Sequence, residues 1–148
     1  MDKKVEIERM MMISNEFYKL TGISKKSALI IDKYELIPIT VNCTFSIELA
    51  LKCLYYANNN EKIDGHNIKK LYSLTKGYGL ESFLLNDFTA DEIDRIVNQL
   101  ENAFVEFRYL YEQKKVLTIQ PPLLKDFTAF INGYCTNYIN NYLHPKEQ

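Results

Sequence analysis

Apolar residues along this chain recur at spacings of three and four, and strict every-second-residue alternation over five to eight residues is absent. Helices rather than strands are therefore predicted throughout. The first predicted helix covers residues 4–20 and stops at Thr21-Gly22, a pair that suits a helix C-terminus. Residues 23–37 are ambiguous: Ala28-Leu29-Ile30-Ile31, between Lys25-Lys26 and Lys33, fits either a short helix or an ordered connection. A second long helix is predicted to open near Pro38, whose fixed φ suits a first helical turn, and to end at Asn58-Asn59-Asn60. On a helical wheel, Ile47, Ala50, Leu51 and Leu54 fall on one side of it, and Phe45, Leu49, Cys53 and Tyr56 on nearly the opposite side. A helix apolar on two faces is packed from both, which makes it the central helix of a bundle. A narrow polar stripe remains: Thr44, Glu48, Lys52 and the edge of Tyr55.

A short helix follows, from about Gly65-His66-Asn67 to Thr75, ended by Gly77; residues 78–89 read as a loop holding Phe83-Leu84-Leu85. Thr89-Ala90-Asp91-Glu92 combines an N-cap with acidic first-turn residues, a strong start signal. The helix it opens is predicted to reach about Lys115, with Ile96, Leu100, Ala103, Phe104, Phe107, Leu110 and Tyr111 on its buried face. Pro121-Pro122 opens the last helix, where Leu123, Phe127, Phe130, Ile131, Tyr134 and Tyr138 recur at helical spacing. The expected fold is all-α: a four- to five-helix up-and-down bundle.

The length of 148 residues fits one domain covering 1–148. Hydrophobic residues at 47% supply enough material for a core, and a net charge of −1 excludes the strongly basic domain whose charge alone announces nucleic-acid binding. Three Cys (Cys43, Cys53, Cys135) without C-x-x-C spacing argue against disulfides or a Cys-based zinc site, and are expected as reduced core residues. The charged start Met1-Asp2-Lys3-Lys4 does not resemble a secretory signal. No apolar run approaches the ~18–20 residues needed to cross a bilayer. A soluble cytoplasmic protein is expected, with no membrane attachment.

Chemistry has few candidate carriers. His66 follows Gly65 at a predicted helix start, where it would either cap the short helix and pack its loop, or hydrogen-bond, move protons and hold a phosphate. Arg is scarce, only three of 18 basic residues, so Arg108 within Phe107-Arg108-Tyr109-Leu110-Tyr111-Glu112 draws scrutiny. It borders the buried face within i,i+4 reach of Glu112, and fits either an internal ion pair or a guanidinium aimed at phosphate with Tyr109 or Tyr111 beside it. Glu48 and Lys52 form an i,i+4 pair on the polar stripe of the central helix. A polar stripe there implies a cleft or an interhelical network, because buried charges need partners. No phosphate-binding Gly-rich loop, H-E-x-x-H or G-x-S-x-G is present, and no metal or other cofactor is expected. The eleven Tyr read as core and rim residues more readily than as a base-stacking surface. Residues 61–80 carry four Lys against two acids, whereas 81–113 carry two Arg against eight, so a polyanion would approach the His66 segment first.

Three segments taken together resemble the HEPN (higher eukaryote and prokaryote nucleotide-binding) domains: Asn42-Cys43-Thr44-Phe45-Ser46-Ile47-Glu48-Leu49-Ala50-Leu51-Lys52, Gly65-His66-Asn67-Ile68-Lys69-Lys70-Leu71, and Phe107-Arg108-Tyr109-Leu110-Tyr111-Glu112. The similarity spans roughly 38–140. It implies a helical bundle that commonly forms homodimers. It also implies a role around RNA or nucleotides in ribonuclease toxins, toxin–antitoxin pairs or antiphage defence, with an antitoxin or other protein as partner. Ribonuclease members carry an Arg, a polar residue and a His four to six positions after the Arg. Here Tyr109 follows Arg108, and Gln113, Lys114 and Lys115 stand where the His would be. The reading is thus a polar seam of Glu48, Lys52, His66, Arg108, Tyr111 and Glu112 that binds RNA or nucleotide without the usual ribonuclease motif. Two alternatives stay open. One is a metal-independent endoribonuclease with His66 moving the 2′-hydroxyl proton and Arg108 stabilising the phosphorane. The other is an interaction module in which the seam only sets helix register.

Overall fold

The computed structural model describes residues 1–22, 33–101 and 121–146. It contains helices α1 (Lys3–Leu20), α2 (Lys33–Asn58) and α3 (Ile68–Thr75), a π-helical turn (Lys76–Leu80), then α4 (Glu81–Leu84), α5 (Ala90–Leu100) and α6 (Pro121–Leu143). Among the described residues there is no strand, and the protein is the all-α helical bundle the periodicity predicts.

The chain assembles around α2. Helix α1 is started by the Asp2 carboxylate, which accepts from the Lys4 amide at 2.9 Å, and it buries Ile7, Met11 and Ser14 along one line. Helix α2 packs against α1, α6 and α3. Ile47, Ala50, Leu51, Leu54, Cys43 and Cys53 are all buried, as expected for a helix covered from more than one side. One polar joint ties the three long helices. The Ser14 hydroxyl of α1 donates to the Ser46 carbonyl of α2 at 2.7 Å and accepts from Asn132 Nδ2 of α6 at 3.2 Å. All three residues are buried.

Several expected boundaries move. Helix α2 begins at Lys33, so Pro38 lies inside it and not at its start. Proline removes one backbone donor from the ladder, and the packing of Ile39, Cys43 and their neighbours in the core carries the helix across that loss. The expectation that no segment was apolar enough to cross a bilayer also changes. Ile37–Asn58 passes by length and composition, its 18-residue window having a mean hydropathy of 1.3, yet 61% of that window is buried inside the bundle, as befits a central helix.

The segment after α3 is helical where a loop was expected. Helix α3 ends at Thr75, as expected; beyond it the chain runs through the π-helical turn Lys76–Leu80 and turns at Gly79, whose φ of 84° only glycine adopts without strain. The Tyr134 hydroxyl packs directly over Gly79 and donates to the Tyr78 carbonyl at 2.6 Å. Helix α5 starts as expected: Thr89 and Glu92 form a reciprocal capping box, and Ile93, Ile96, Val97 and Leu100 are buried. The predicted continuation of that helix to Lys115 lies outside the described residues.

Helix α6 presents a stripe partly shifted from the expected one. Leu124, Phe127, Ile131, Cys135 and Ile139 are buried, while Leu123, Phe130, Tyr134 and Tyr138 are half-buried beside the core. Phe130 and Tyr134 meet Phe83 with ring centroids 5.9 and 5.0 Å apart, and Phe130 meets Phe88 at 5.3 Å. These rings lie under the α4 segment.

A buried carboxylate beside the third helix

Glu48 occupies the middle of α2 and is only 4% exposed. Its Oε1 accepts from Lys52 Nζ, one turn along, at 2.9 Å, and lies 2.8 Å from Nδ1 of His66. Three of the residues predicted from sequence therefore meet at one carboxylate oxygen. The second oxygen, Oε2, is buried without a hydrogen-bond partner among the described residues. A buried carboxylate oxygen in that state favours any donor that can reach it.

The position of His66 follows from its neighbours. Gly65, at φ 91°, turns the chain before it, and the Asn67 side chain after it accepts from the Lys70 amide at 2.9 Å to cap α3. The cap is thus Asn67 and not His66. That leaves the imidazole to reach across to α2, half exposed at 50% of its side-chain area. With Nδ1 engaged by Glu48, the neutral ring is held as the Nδ1–H tautomer and its remaining basic atom is Nε2; the protonated ring makes an ion pair. Ile68, immediately beyond the cap, is buried and anchors the start of α3.

Charge around the cluster divides clearly. Lys52 has only 15% of its side chain exposed and its ammonium is committed to Glu48, so this i,i+4 pair is largely enclosed. The two charges offset each other. Lys69 and Lys70, in the first turn of α3, are exposed, and a protonated His66 would add to them. Thr44, also on the polar stripe, is buried and satisfies itself by donating to the Thr40 carbonyl at 2.8 Å.

Arg108, Tyr111 and Glu112 lie outside the described residues, and so does the expected meeting of His66 with Arg108. Cysteine chemistry finds no support: all three thiols are buried. Burial pushes Cys43 up to about 11 and Cys53 up to about 12, and raises Cys135 further still. Tyrosines serve as ties, as expected of core and rim residues: Tyr138 donates to Asn58 Oδ1 at 2.6 Å, and the Tyr78 hydroxyl accepts from Asn59 Nδ2 at 2.9 Å. One feature that the spacing does not reveal is the Tyr72 hydroxyl, which is buried without a partner among the described residues. Nothing in the spacing of α3 separates a tyrosine whose hydroxyl reaches solvent from one whose hydroxyl does not.

The family model of the HEPN domain matches residues 26–126. No curated protein and no solved structure matches the chain.

Proposed function

Because the chain belongs to the HEPN domain family, we propose that it is a nucleotide- or RNA-associated protein of a prokaryotic defence, stress or toxin–antitoxin system. In this reading it binds phosphate at the Glu48–Lys52–His66 cluster and the neighbouring Lys69 and Lys70. It acts in the cytoplasm as a homodimer, with an antitoxin or other protein as partner. The observation that carries the reading is the buried Glu48 carboxylate. It fixes a half-exposed imidazole beside two exposed lysines while cancelling the charge of Lys52. An anion arriving there meets the His66 ring and the first turn of α3, where donors and positive charge favour phosphate. Arg108 and Tyr111, with Glu112, belong to the same proposed seam.

The test is titration of a labelled oligoribonucleotide and of nucleotide monophosphates into wild type, His66→Ala and the double variant Lys69→Ala/Lys70→Ala. His66→Ala should weaken binding about fivefold or more, in line with loss of a charge-assisted hydrogen bond. The double variant should flatten the salt dependence by up to about two phosphate contacts. Binding that is absent in wild type, or unchanged in both variants, overturns the reading.

The Glu48–His66 contact also favours a second reading. A carboxylate that fixes one imidazole nitrogen orients the ring, as proton transfer in a metal-independent ribonuclease requires. Incubation of the protein with total RNA in chelator separates the two: cleavage lost in both His66→Ala and Arg108→Ala, with folding intact, establishes catalysis. Absence of cleavage leaves the binding reading.

A further inference from the structure

Helix α1 has an outer face that the bundle does not use. Val5, Met12, Ile13 and Leu20 are exposed at 46%, 62%, 43% and 46%, and Arg9 and Glu16 are exposed between them. On an α-helix these six positions fall within an arc of about 100°. Val5, Arg9, Met12, Ile13 and Glu16, together with Glu8, line a shallow surface depression along it. The helix lies wholly outside the segment matched to the HEPN family.

The order of these residues has a symmetry that a random apolar stripe lacks. If two copies of α1 cross antiparallel about a two-fold axis between Met12 and Ile13, each residue faces the position with which its number sums to 25. Val5 then faces Leu20, Met12 faces Ile13, and Arg9 faces Glu16. All six stripe residues are matched within the set: apolar meets apolar, and each of the two cations meets a carboxylate. A face that is complementary to itself under a two-fold rotation is the requirement for an isologous interface. Among the described residues Glu16 pairs with exposed Lys19, at i,i+3 and 2.9 Å, an interaction weak enough to exchange for Arg9 of a second copy.

We propose that the outer face of α1 is a self-association surface whose occupant is α1 of a second copy of this chain, antiparallel and in the register set by the Arg9–Glu16 pairs. The proposal rests on the homodimer of the preceding section and gives it a surface. The stripe is about 22 Å long, which is small beside the ~800 Å² per partner of a standard interface. The dimer is therefore concentration-dependent if α1 alone forms it.

Charge reversal tests the register directly, because both residues are exposed and away from the core. Sedimentation velocity over a wide concentration range at low salt would compare wild type, Arg9→Glu, Glu16→Arg and the double variant, with far-UV circular dichroism reporting the fold. Each single reversal should weaken the dimer about tenfold or more, since both symmetric pairs become repulsive. The double variant should regain wild-type association. An equimolar mixture of the two single variants should form heterodimers, because every pair across that interface is again opposite in charge. A dimer insensitive to all these changes overturns the surface but not the homodimer. A protein that stays monomeric at every concentration overturns both, and the RNA titration is unaffected by either outcome. A partner other than a second copy would leave the isolated chain monomeric, which likewise overturns the proposal.

Discussion

Glu48 sits where a charge is expensive and is kept there by two donors at one oxygen. Glu48→Gln retains the shape but leaves the largely enclosed Lys52 ammonium without its counter-charge. It should lower stability by about 1–3 kcal/mol in urea unfolding, below the cost of breaking a fully buried pair because His66 is half in solvent. Tyr72 predicts the opposite. Its hydroxyl is buried and unpartnered among the described residues, so Tyr72→Phe removes an unsatisfied group and should leave stability within about 0.5 kcal/mol of wild type or raise it. Burial, aided by Glu81 and Asp94, pushes the Tyr72 hydroxyl up to about 12 from 10.0. The folded state thus holds that proton after the unfolded chain has lost it, and stability falls as pH rises above 10 through 12. In Tyr72→Phe that part of the alkaline decline should vanish from melting temperatures measured across the range. At this scale the sequence named all three members of the cluster but not their geometry. Glu48 and Lys52 stood out because they interrupt a helix apolar on both sides. Their meeting with His66, 18 positions along the chain from Glu48, depends on a turn at Gly65 that no periodicity encodes. The seam's remaining members, Arg108, Tyr111 and Glu112, lie outside the described residues.

Among the elements, the start of α5 is the most self-contained. The Thr89 hydroxyl accepts from the Glu92 amide at 3.1 Å and the Glu92 carboxylate accepts from the Thr89 amide at 3.0 Å. Thr89→Ala should therefore cost about 0.5–2 kcal/mol in chemical denaturation. The hydrogen bonds from Thr89 hold the Glu92 carboxyl below its ordinary 4.5. Its contribution is present above that pH and disappears as acid carries the solution down through the lowered value. Glu92→Gln should remove this portion of the acid destabilisation in thermal melts. The turn between α3 and α4 is set by Gly79, and Gly79→Ala should cost about 1–3 kcal/mol. The positive φ penalises any Cβ, and the Tyr134 hydroxyl occupies the space it would need. Local chemistry made the α5 cap readable in the sequence because all its partners lie within four residues. The α3–α4 segment was misread because glycine and aromatic residues suggest a loop until Tyr134, 56 residues away, is seen clasping the turn. Helix α6 shows a different difficulty. It carries two adjacent apolar rows, and spacing alone does not say that Leu124, Phe127, Ile131 and Cys135 bury deepest while Phe130 and Tyr134 roof the rings of Phe83 and Phe88.

At the level of the whole molecule, α2 acts as a spine to which α1, α3 and α6 each attach, so its dismantling and that of the core coincide. The three thiols make this measurable. Each is buried and strongly disfavoured as a thiolate, and Cys43 and Cys53 belong to α2 while Cys135 faces the core from α6. Reaction with a thiol reagent at neutral pH should be negligible in the native state, and all three should label with one rate that tracks unfolding. A fast-reacting thiol would reveal a helix that detaches by itself. Two-faced apolarity in the sequence was sufficient to identify this spine. The connection among Ser14, Ser46 and Asn132 was invisible there, because each reads as an ordinary small polar residue on a separate helix. That connection constrains how the family line leading to this chain can change. Replacing Ser14 alone strands the Asn132 amide in a dry interior, and replacing Asn132 alone takes a donor from Ser14, while the Ser46 carbonyl stays whatever its side chain; exchanging these side chains together for hydrocarbon of equal volume is tolerable. Drift at these positions must then pass through less stable ancestors or occur as a concerted replacement, behaving like a combination lock rather than independent dials.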